Sequence, residues 1–538
     1  MRKISHASSP RVRFNRFRSI CLALLLLGIV FRFVNLDYKV YWHDEAYTSM
    51  EITAHTRSEV VAERFNGEQA TPEELLVYQQ LDPNRTLAEM ITAIGREDVQ
   101  HPPLYYILSR FWVQLWNSTS PLVTRSISAL LSLLIFPLIY WVCLELFESP
   151  LTGWIAVALV AVSPFHLLYA QEAREYSFWG ATILLSSVAL LRAMRASNGG
   201  NWAFYAVSLA IAFYTFMFSG LVAIGHGIYV LLNEKIDALS ITGFRFSRRA
   251  IAYLVASVLA VIAFAPWLYF LVVHFENLKA TTEWATISLP HLTLFKLWVV
   301  NFSRVLIDFD FNPLLEYDFW AYLLMIPILL LEIYAVFFVC RQTPKRVWLF
   351  ILTLIGATAL GLLLPDLLLG GQRSGTTRYL IPSYLGIQLS MAYLLARCLE
   401  AKTFSRRQFW QVMAIVLSAI AIVSCTFSAV SNTWWNKVVS YHNAEIADII
   451  NNSDRPVLVT DAFGYNPVNA IALSYLLEPE TPLFLLPEVG KSLTIPDLSD
   501  SFTDVFLLNM PDFFRTPLEE KYNGRTVQVV GDLWRLER

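Results

Sequence analysis

Hydrophobic residues in this chain are gathered into blocks close to the ~20 residues that a helix needs to cross about 30 Å of hydrocarbon. The blocks fall at 17–36, 122–147, 152–170, 176–195, 201–216, 217–234, 250–273, 318–340, 346–365, 378–398 and 408–431. Backbone N–H and C=O groups find no water inside a bilayer, so each block must satisfy its own hydrogen bonds as a helix. The pattern predicts a polytopic α-helical membrane protein with eleven transmembrane helices. Composition agrees. Of 538 residues, 56% are hydrophobic and only 16% are charged, with a mean hydropathy of +0.48, whereas about a quarter of a soluble domain is charged.

The formal net charge of −2 carries little information about partners, because the two signs are segregated along the chain. Lys and Arg accumulate in cytoplasmic loops. The basic segments are the N-terminus, Arg192/Arg195, Lys235 with Arg245/Arg248/Arg249, Arg341/Lys345/Arg346 and Arg397/Lys402/Arg406/Arg407. Eleven spans place all of them on one side, whereas counting the apolar stretch 102–116 as a twelfth strands the N-terminus alone. That stretch is short, opens with Pro102-Pro103 and carries Arg110 among aromatics, so it reads as an interfacial helix. The basic N-terminus resembles a signal peptide, but the apolar run lacks an Ala-x-Ala site and reads as a retained helix. Cys21, Cys143, Cys340, Cys398 and Cys425 form no CxxC pair, which weighs against a disulfide framework or thiolate zinc site.

The outer segments are then 37–121, 171–175, 274–317, 366–377 and a tail from 432. In the tail, strand-like runs (Val457–Thr460, Phe484–Leu486, Val505–Leu508) alternate with helical stretches near 441–451, 465–477 and 511–522. This alternation predicts a small α/β domain. The domains are expected to be 1–431, with interfacial helices in the loop 37–121, and an exoplasmic 432–538 acting as scaffold or acceptor dock.

Asp44 and Glu45, in Trp42-His43-Asp44-Glu45, sit just beyond the outer end of the first span. Charges so near a bilayer are costly and commonly mark a site. A carboxylate there can take the proton of an attacking hydroxyl, although solvated acids of the same loop would look alike. His101, ahead of Pro102-Pro103 and behind Glu97 and Asp98, can steady a phosphate or ligate a metal, or simply launch a surface helix. The turn Gln171-Glu172-Ala173-Arg174-Glu175-Tyr176 holds more charge than a hairpin needs, which singles out Glu172 and Arg174. Arg378-Tyr379, after Arg373, opens the tenth span; such an arginine pairs bidentately with phosphate or snorkels to headgroups. Glu283, Asp308, Asp310 and Glu316 lie among Trp284, Phe309 and Phe311, and Arg125 is a lesser candidate.

In this order and spacing, Asp44-Glu45, His101-Pro102-Pro103-Leu104, the turn 171–176 and Arg378-Tyr379 resemble the GT-C glycosyltransferases. The closest likeness is to family 39, which includes protein O-mannosyltransferases and lipid A aminoarabinose transferases. The resemblance covers about 17–400. It implies a GT-C fold and inverting transfer of a sugar from a polyprenyl-phosphate carrier to a glycan, lipid or protein acceptor on the exoplasmic face. It makes Asp44 the catalytic aspartate with Glu45 beside it, and Glu172 the acid of an active-site loop. It puts His101, Asp98, Arg174, Arg378 and Tyr379 with the substrate. No cofactor is required, though a divalent metal at Glu45 or His101 is allowed. Membrane lipids are partners and nucleic acid is not. A bacterial inner membrane with a periplasmic active site is the expected setting.

Two departures stand out. Tyr105-Tyr106 occupies the place of the mannosyltransferases' Gly-Lys, and the loop 274–317 replaces a large domain. The competing class is a transporter or flippase of lipid-linked glycans. Transporters usually place ionisable groups at the midplane and carry internal repeats, neither of which is evident in this chain.

Overall fold

The computed structural model describes residues 10–234, 247–310, 319–434, 436–488, 495–498 and 501–538. Lys235, Arg245, Phe311 and Glu316 lie outside the described residues. Each of the eleven hydrophobic segments is helical. Seven helices among the described residues are long and apolar enough to cross a bilayer, or eight with one bent pair. The bend corrects the segment 152–170. Pro150–Ala161 and Pro164–Ala170 meet at 62°, because Pro164 lacks the N–H that would continue the ladder and biases Ser163 out of the helical region. The Ser163 hydroxyl donates instead to the Val305 carbonyl at 2.7 Å. The chain is an integral membrane protein.

Contacts divide the molecule into two compact units. The first comprises residues 1–34, 100–105 and 128–429. Its inner helices are the spans Tyr176–Arg195 and Thr377–Leu399, each 89% buried, whereas Arg248–Val273 and Tyr322–Gln342 are 22% and 28% buried and present apolar faces outward. The helix Pro10–Phe33 packs tightly on Pro150–Ala161 through Gly28: a Cβ there would stand 2.2 Å from the Ala161 carbonyl oxygen. Arg32, fully buried, donates to the Gly28 and Ala161 carbonyls at 2.7 and 2.9 Å and so ties the two helix ends together. The turn after Ala170 performs a similar task, because Gln171 Nε2 donates to Phe31 and Val34 carbonyls left without helical partners.

The second unit comprises 35–99, 106–127 and 430–538. Its last segment begins at Val430, and the loop residues 35–99 group with that tail rather than with the helices. A six-stranded sheet explains why. Its strands are β1 (Gln69–Ala70), β2 (Pro456–Asp461), β3 (Leu483–Leu486), β4 (Asp504–Leu508), β5 (Arg525–Val530) and β6 (Leu533–Glu537). The order is β1-β3-β2-β4-β6-β5, with β3, β2 and β4 parallel and the others antiparallel. β1, from the first loop, closes the edge of β3. β2 and β4 are buried along nearly their whole length, as expected for parallel strands covered on both faces. Helices Asn443–Asn451, Asn466–Ser474 and Asp512–Tyr522 fall where the tail's periodicity puts them.

The stretch 102–116 forms the helix Leu104–Trp116, with Phe111, Leu115 and Trp116 exposed. Arg110 is buried, donating to the Ile52 carbonyl at 2.6 Å and to that of Arg85. The segment 274–317 contains helices Phe275–Thr282 and His291–Ser303. Gly28 offers a direct test of the first unit's packing. Gly28→Val is expected to push the two helices apart and cost about 1–3 kcal/mol, read as a lower unfolding temperature of the detergent-solubilised protein. An unchanged temperature would contradict the close approach.

Candidate functional site

In the second unit, the helix His43–Ile52 begins at Trp42, whose extended backbone (φ −84°, ψ 165°) turns the chain into it. Glu45, at the third helical position, accepts from the Trp42 N–H at 3.3 Å, as in a capping box. Both of its oxygens also receive a bidentate Arg125, Nε and Nη2 each at 2.7 Å, with both side chains fully buried. The other Arg125 N–H groups bind the Leu36, Lys39 and Val40 carbonyls. Glu45 is therefore occupied in holding the turn, and its carboxylate is not open to a metal ion. No group of three His, Cys, Asp or Glu side chains suited to a metal occurs among the described residues.

Asp44 is the half of the pair that reaches the surface, with 15% of its side chain exposed. His43 Nε2 lies 3.0 Å from Asp44 Oδ1. One helical turn on is Tyr47, whose hydroxyl titrates well above its ordinary value. Burial is the main cause; Arg57 opposes it, and Asp98, Asp44 and Glu51 add to it. Asp44 and Asp98 thus share one electrostatic neighbourhood. Lys39, buried against the Trp434 ring at 5.1 Å, is pushed down to about 7 by burial and then by Arg125, with Glu45 pulling the other way.

In the first unit, the charged turn 171–175 is buried throughout. His101 Nδ1 lies 2.7 Å from Glu175 Oε1, and Arg174 Nη2 lies 2.9 Å from His101 Nε2. Burial alone would raise the Glu175 carboxyl, but Arg174 and then His101 hold it down to about 2. Arg174 and Arg378 both stack on the Tyr176 ring, at 5.9 and 5.5 Å from its centroid. Arg378 also faces Trp284 and Tyr379, at 5.8 and 5.5 Å. Phe216 joins the group, 6.3 Å from His101, 5.6 Å from Tyr176 and 5.9 Å from Tyr379. A guanidinium lying on aromatic faces keeps its in-plane fork oriented for a phosphate. Glu172 is buried in the same turn, and its carbonyl accepts from the Arg174 N–H at 2.7 Å.

Supporting contacts fix these groups. Tyr105, in the place of the family's glycine, pairs with Ser128 Oγ at 2.7 Å, and Ser128 reaches the Arg174 carbonyl at 3.3 Å. Thr377, next to Arg378, donates to Asn301 at 2.6 Å, and Arg304 binds both of them and Asp308. Arg373 pairs with Asp366 at 3.0 Å, so it serves the loop. The first unit thus brings together His101, Arg174, Arg378 and Tyr379, and the second places Asp44 and Asp98 near Tyr47. Sequence reasoning passed over Glu175, Tyr176, Phe216 and His43, and it underrated Arg125. A lone arginine early in an apolar block was the available sign of a buried partner.

The comparisons with known proteins bear on this geometry. Residues 100–270 match the family model described as dolichyl-phosphate-mannose-protein mannosyltransferase. No curated protein matches the chain. Among solved structures, ArnT from Cupriavidus metallidurans in the apo state superposes with a TM-score of 0.53 at 11% identity, covering 96% of this chain and 97% of ArnT. The chain has the GT-C fold. The structure of the same ArnT bound to undecaprenyl phosphate aligns at a TM-score of 0.50 and 11% identity, over 98% of both chains. The match of the family model spans the His101 segment and the turn 171–176.

Two outcomes follow from the charges. Glu45→Gln leaves Arg125 buried without its counter-charge and is expected to cost about 3–5 kcal/mol of stability. Asp44→Asn keeps the side chain's shape at a part-buried position and is expected to lower the unfolding temperature less than Glu45→Gln does. The Glu175 carboxyl titrates lower folded than its ordinary value of 4.5, so the unfolded chain binds more protons between the two values. Its stabilisation is complete above that ordinary value and drains away as pH falls toward about 2. The stability gap between wild type and Glu175→Gln should therefore be flat from neutral pH down to the ordinary carboxylate range and narrow below it; a gap already closing near neutrality would contradict the arrangement.

Proposed function

We propose that the chain is a membrane glycosyltransferase that moves a sugar from a polyprenyl-phosphate carrier to an acceptor hydroxyl with inversion. The observation that carries the proposal is the pair of guanidinium groups, Arg174 and Arg378, set on the Tyr176 ring with His101 bonded to Arg174. It lies in a chain sharing its fold with an ArnT that has been solved with undecaprenyl phosphate. A carrier phosphate leaving with a growing negative charge needs fixed positive groups that do not have to reorganise. Two arginines stacked on one ring provide them.

In the proposed reaction Asp44 accepts the proton of the acceptor hydroxyl as that oxygen attacks the anomeric carbon. The bond from the anomeric carbon to the phosphate oxygen breaks, and the electron pair departs on the polyprenyl phosphate. His43, 3.0 Å from Asp44 Oδ1, orients the carboxylate. Glu45 keeps Asp44 in place through Arg125, and the scheme needs no divalent ion. The outer face of a bacterial inner membrane is the proposed location, on the charge asymmetry of the loops.

A transfer assay tests this, with purified protein in nanodiscs, radiolabelled polyprenyl-phosphate sugars and a membrane extract as acceptor pool. Wild type should move label off the carrier, and Asp44→Asn should lower the rate by about 10²–10⁴-fold, the usual scale of a general base. Arg378→Ala should weaken the reaction at low donor more than at saturation. If both wild type and Asp44→Asn only carry labelled lipid across the bilayer, without releasing it from the carrier, the chain is a transporter.

A further inference from the structure

The sheet of the second unit has a switch point in its strand order that the scheme above leaves unused. β2 has β3 on one side and β4 on the other, all parallel. In open α/β sheets, the place where successive connections leave in opposite directions opens a crevice at the carboxyl ends of the strands, and ligands lodge there. Here that place is between β2 and β4. The loop after β2 is bonded from within: Asn466 Nδ2 donates to Asp461 Oδ1 at 2.7 Å, and Asn509, after β4, donates to Asn466 Oδ1 at 2.7 Å. Arg57 clamps the same loop through the Ala462 and Gly464 carbonyls, at 2.8 and 2.9 Å. The turn between β5 and β6 closes the third side, with the Asp532 carbonyl accepting from the Asn509 N–H at 2.9 Å and the Asp532 side chain bonded to Tyr465.

On this rigid frame stands a different set of groups. Phe463 is 61% exposed although it is a large aromatic on a well-bonded loop. Asp532 is exposed, and Tyr465 and Asn509 are half-buried. The loop after β2 stands beside the Asp44 helix. His43 N–H donates to Ser440 Oγ at 3.2 Å, Ser440 donates to Asn469 at 2.6 Å, and the His43 ring lies 6.1 Å from that of Tyr465. One imidazole therefore separates the loop after β2 from the Asp44 carboxylate.

We propose that the loops at this switch point seat the acceptor, and that the acceptor is a neutral saccharide. Aromatic faces beside amide, phenol and carboxylate groups are the chemistry that packs a sugar's C–H face while pairing its hydroxyls. An acidic glycan would meet the carboxylates of Asp532 and Asp44, and the arginine at the loop, Arg57, is already bound to backbone carbonyls. Phe463 and Tyr465 hold the ring, Asp532 and Asn509 take hydroxyls, and a neighbouring hydroxyl is presented past His43 to Asp44. The proposal rests on the reading of Asp44 as the base.

Saturation-transfer NMR on the full chain in nanodiscs tests it, because binding is read without turnover. The probes are the methyl glycosides of glucose, galactose, mannose and arabinose, a sialic acid methyl glycoside, and an acetylated Ser/Thr peptide. At least one neutral glycoside should receive saturation, and Phe463→Ala and Asp532→Asn should each reduce it about tenfold, a loss of 1.4 kcal/mol. Both positions are exposed, so neither change threatens the fold, and circular dichroism of the variants checks this. Asp44→Asn should still bind the probe. Absence of any neutral-glycoside signal, a signal indifferent to Phe463 and Asp532, or preferential binding of the peptide or the sialoside would overturn the proposal. The transferase reading fails separately: a chain that binds a glycoside at these loops but releases label from no carrier keeps this site and loses that activity.

Discussion

A guanidinium buried beneath the first helix of the second unit holds more of this structure than any other group. Arg125 is enclosed by the Glu45 carboxylate, by the carbonyls of Leu36, Lys39 and Val40, and by the rings of Tyr41 and Trp434. Breaking such a pair leaves a charge that nothing else nearby can neutralise. By meeting carbonyls before the helix and a carboxylate within it, Arg125 sets the angle at which the chain enters the helix. That angle decides where Asp44 points. The two neighbouring acids thus differ in setting, Glu45 fully buried in its pair with Arg125 and Asp44 with 15% of its side chain exposed.

In the first unit the same economy appears in a different form. Charged groups there are stacked on rings or paired with acids, and each has its own brace. Ser128 and Tyr105 steady the turn that carries Arg174. Asn301 and Arg304 steady Thr377 beside Arg378. Glu175 lowers the electrostatic cost of keeping Arg174 and His101 together. A cluster held this way has its guanidinium groups fixed in place, which is what the proposed transfer needs of them.

Much of the fold was legible because membrane helices and parallel strands have strong periodic signatures. The eleven apolar segments are helices, and β2, β3 and β4 fall on the runs Val457–Thr460, Phe484–Leu486 and Val505–Leu508. The break at Ser163-Pro164 was readable from the proline, yet a continuous apolar run masked it. β1 was not readable, because two residues carry no period and its partner β3 lies in the tail. The candidate site was legible in its parts. Asp44, His101, Arg174 and Arg378 stand out as charges at the rims of apolar blocks. Glu175 was passed over for Glu172, since a tight turn leaves the facing of each acid to three-dimensional packing. Arg125 and Glu45 are 80 residues apart, and no local pattern announces a pairing at that range.

The short pairing of β1 with β3 also sets a schedule for biogenesis. Gln69 and Ala70 are made early and face Phe484 and Leu483, which are made almost last. At typical synthesis rates, the intervening chain takes on the order of tens of seconds to appear. Throughout that interval the first loop waits without the sheet it belongs to, and its strand has no partner to pair with. The second unit becomes a folded body only when the tail has been made, so the loop bearing Asp44 matures in step with β3.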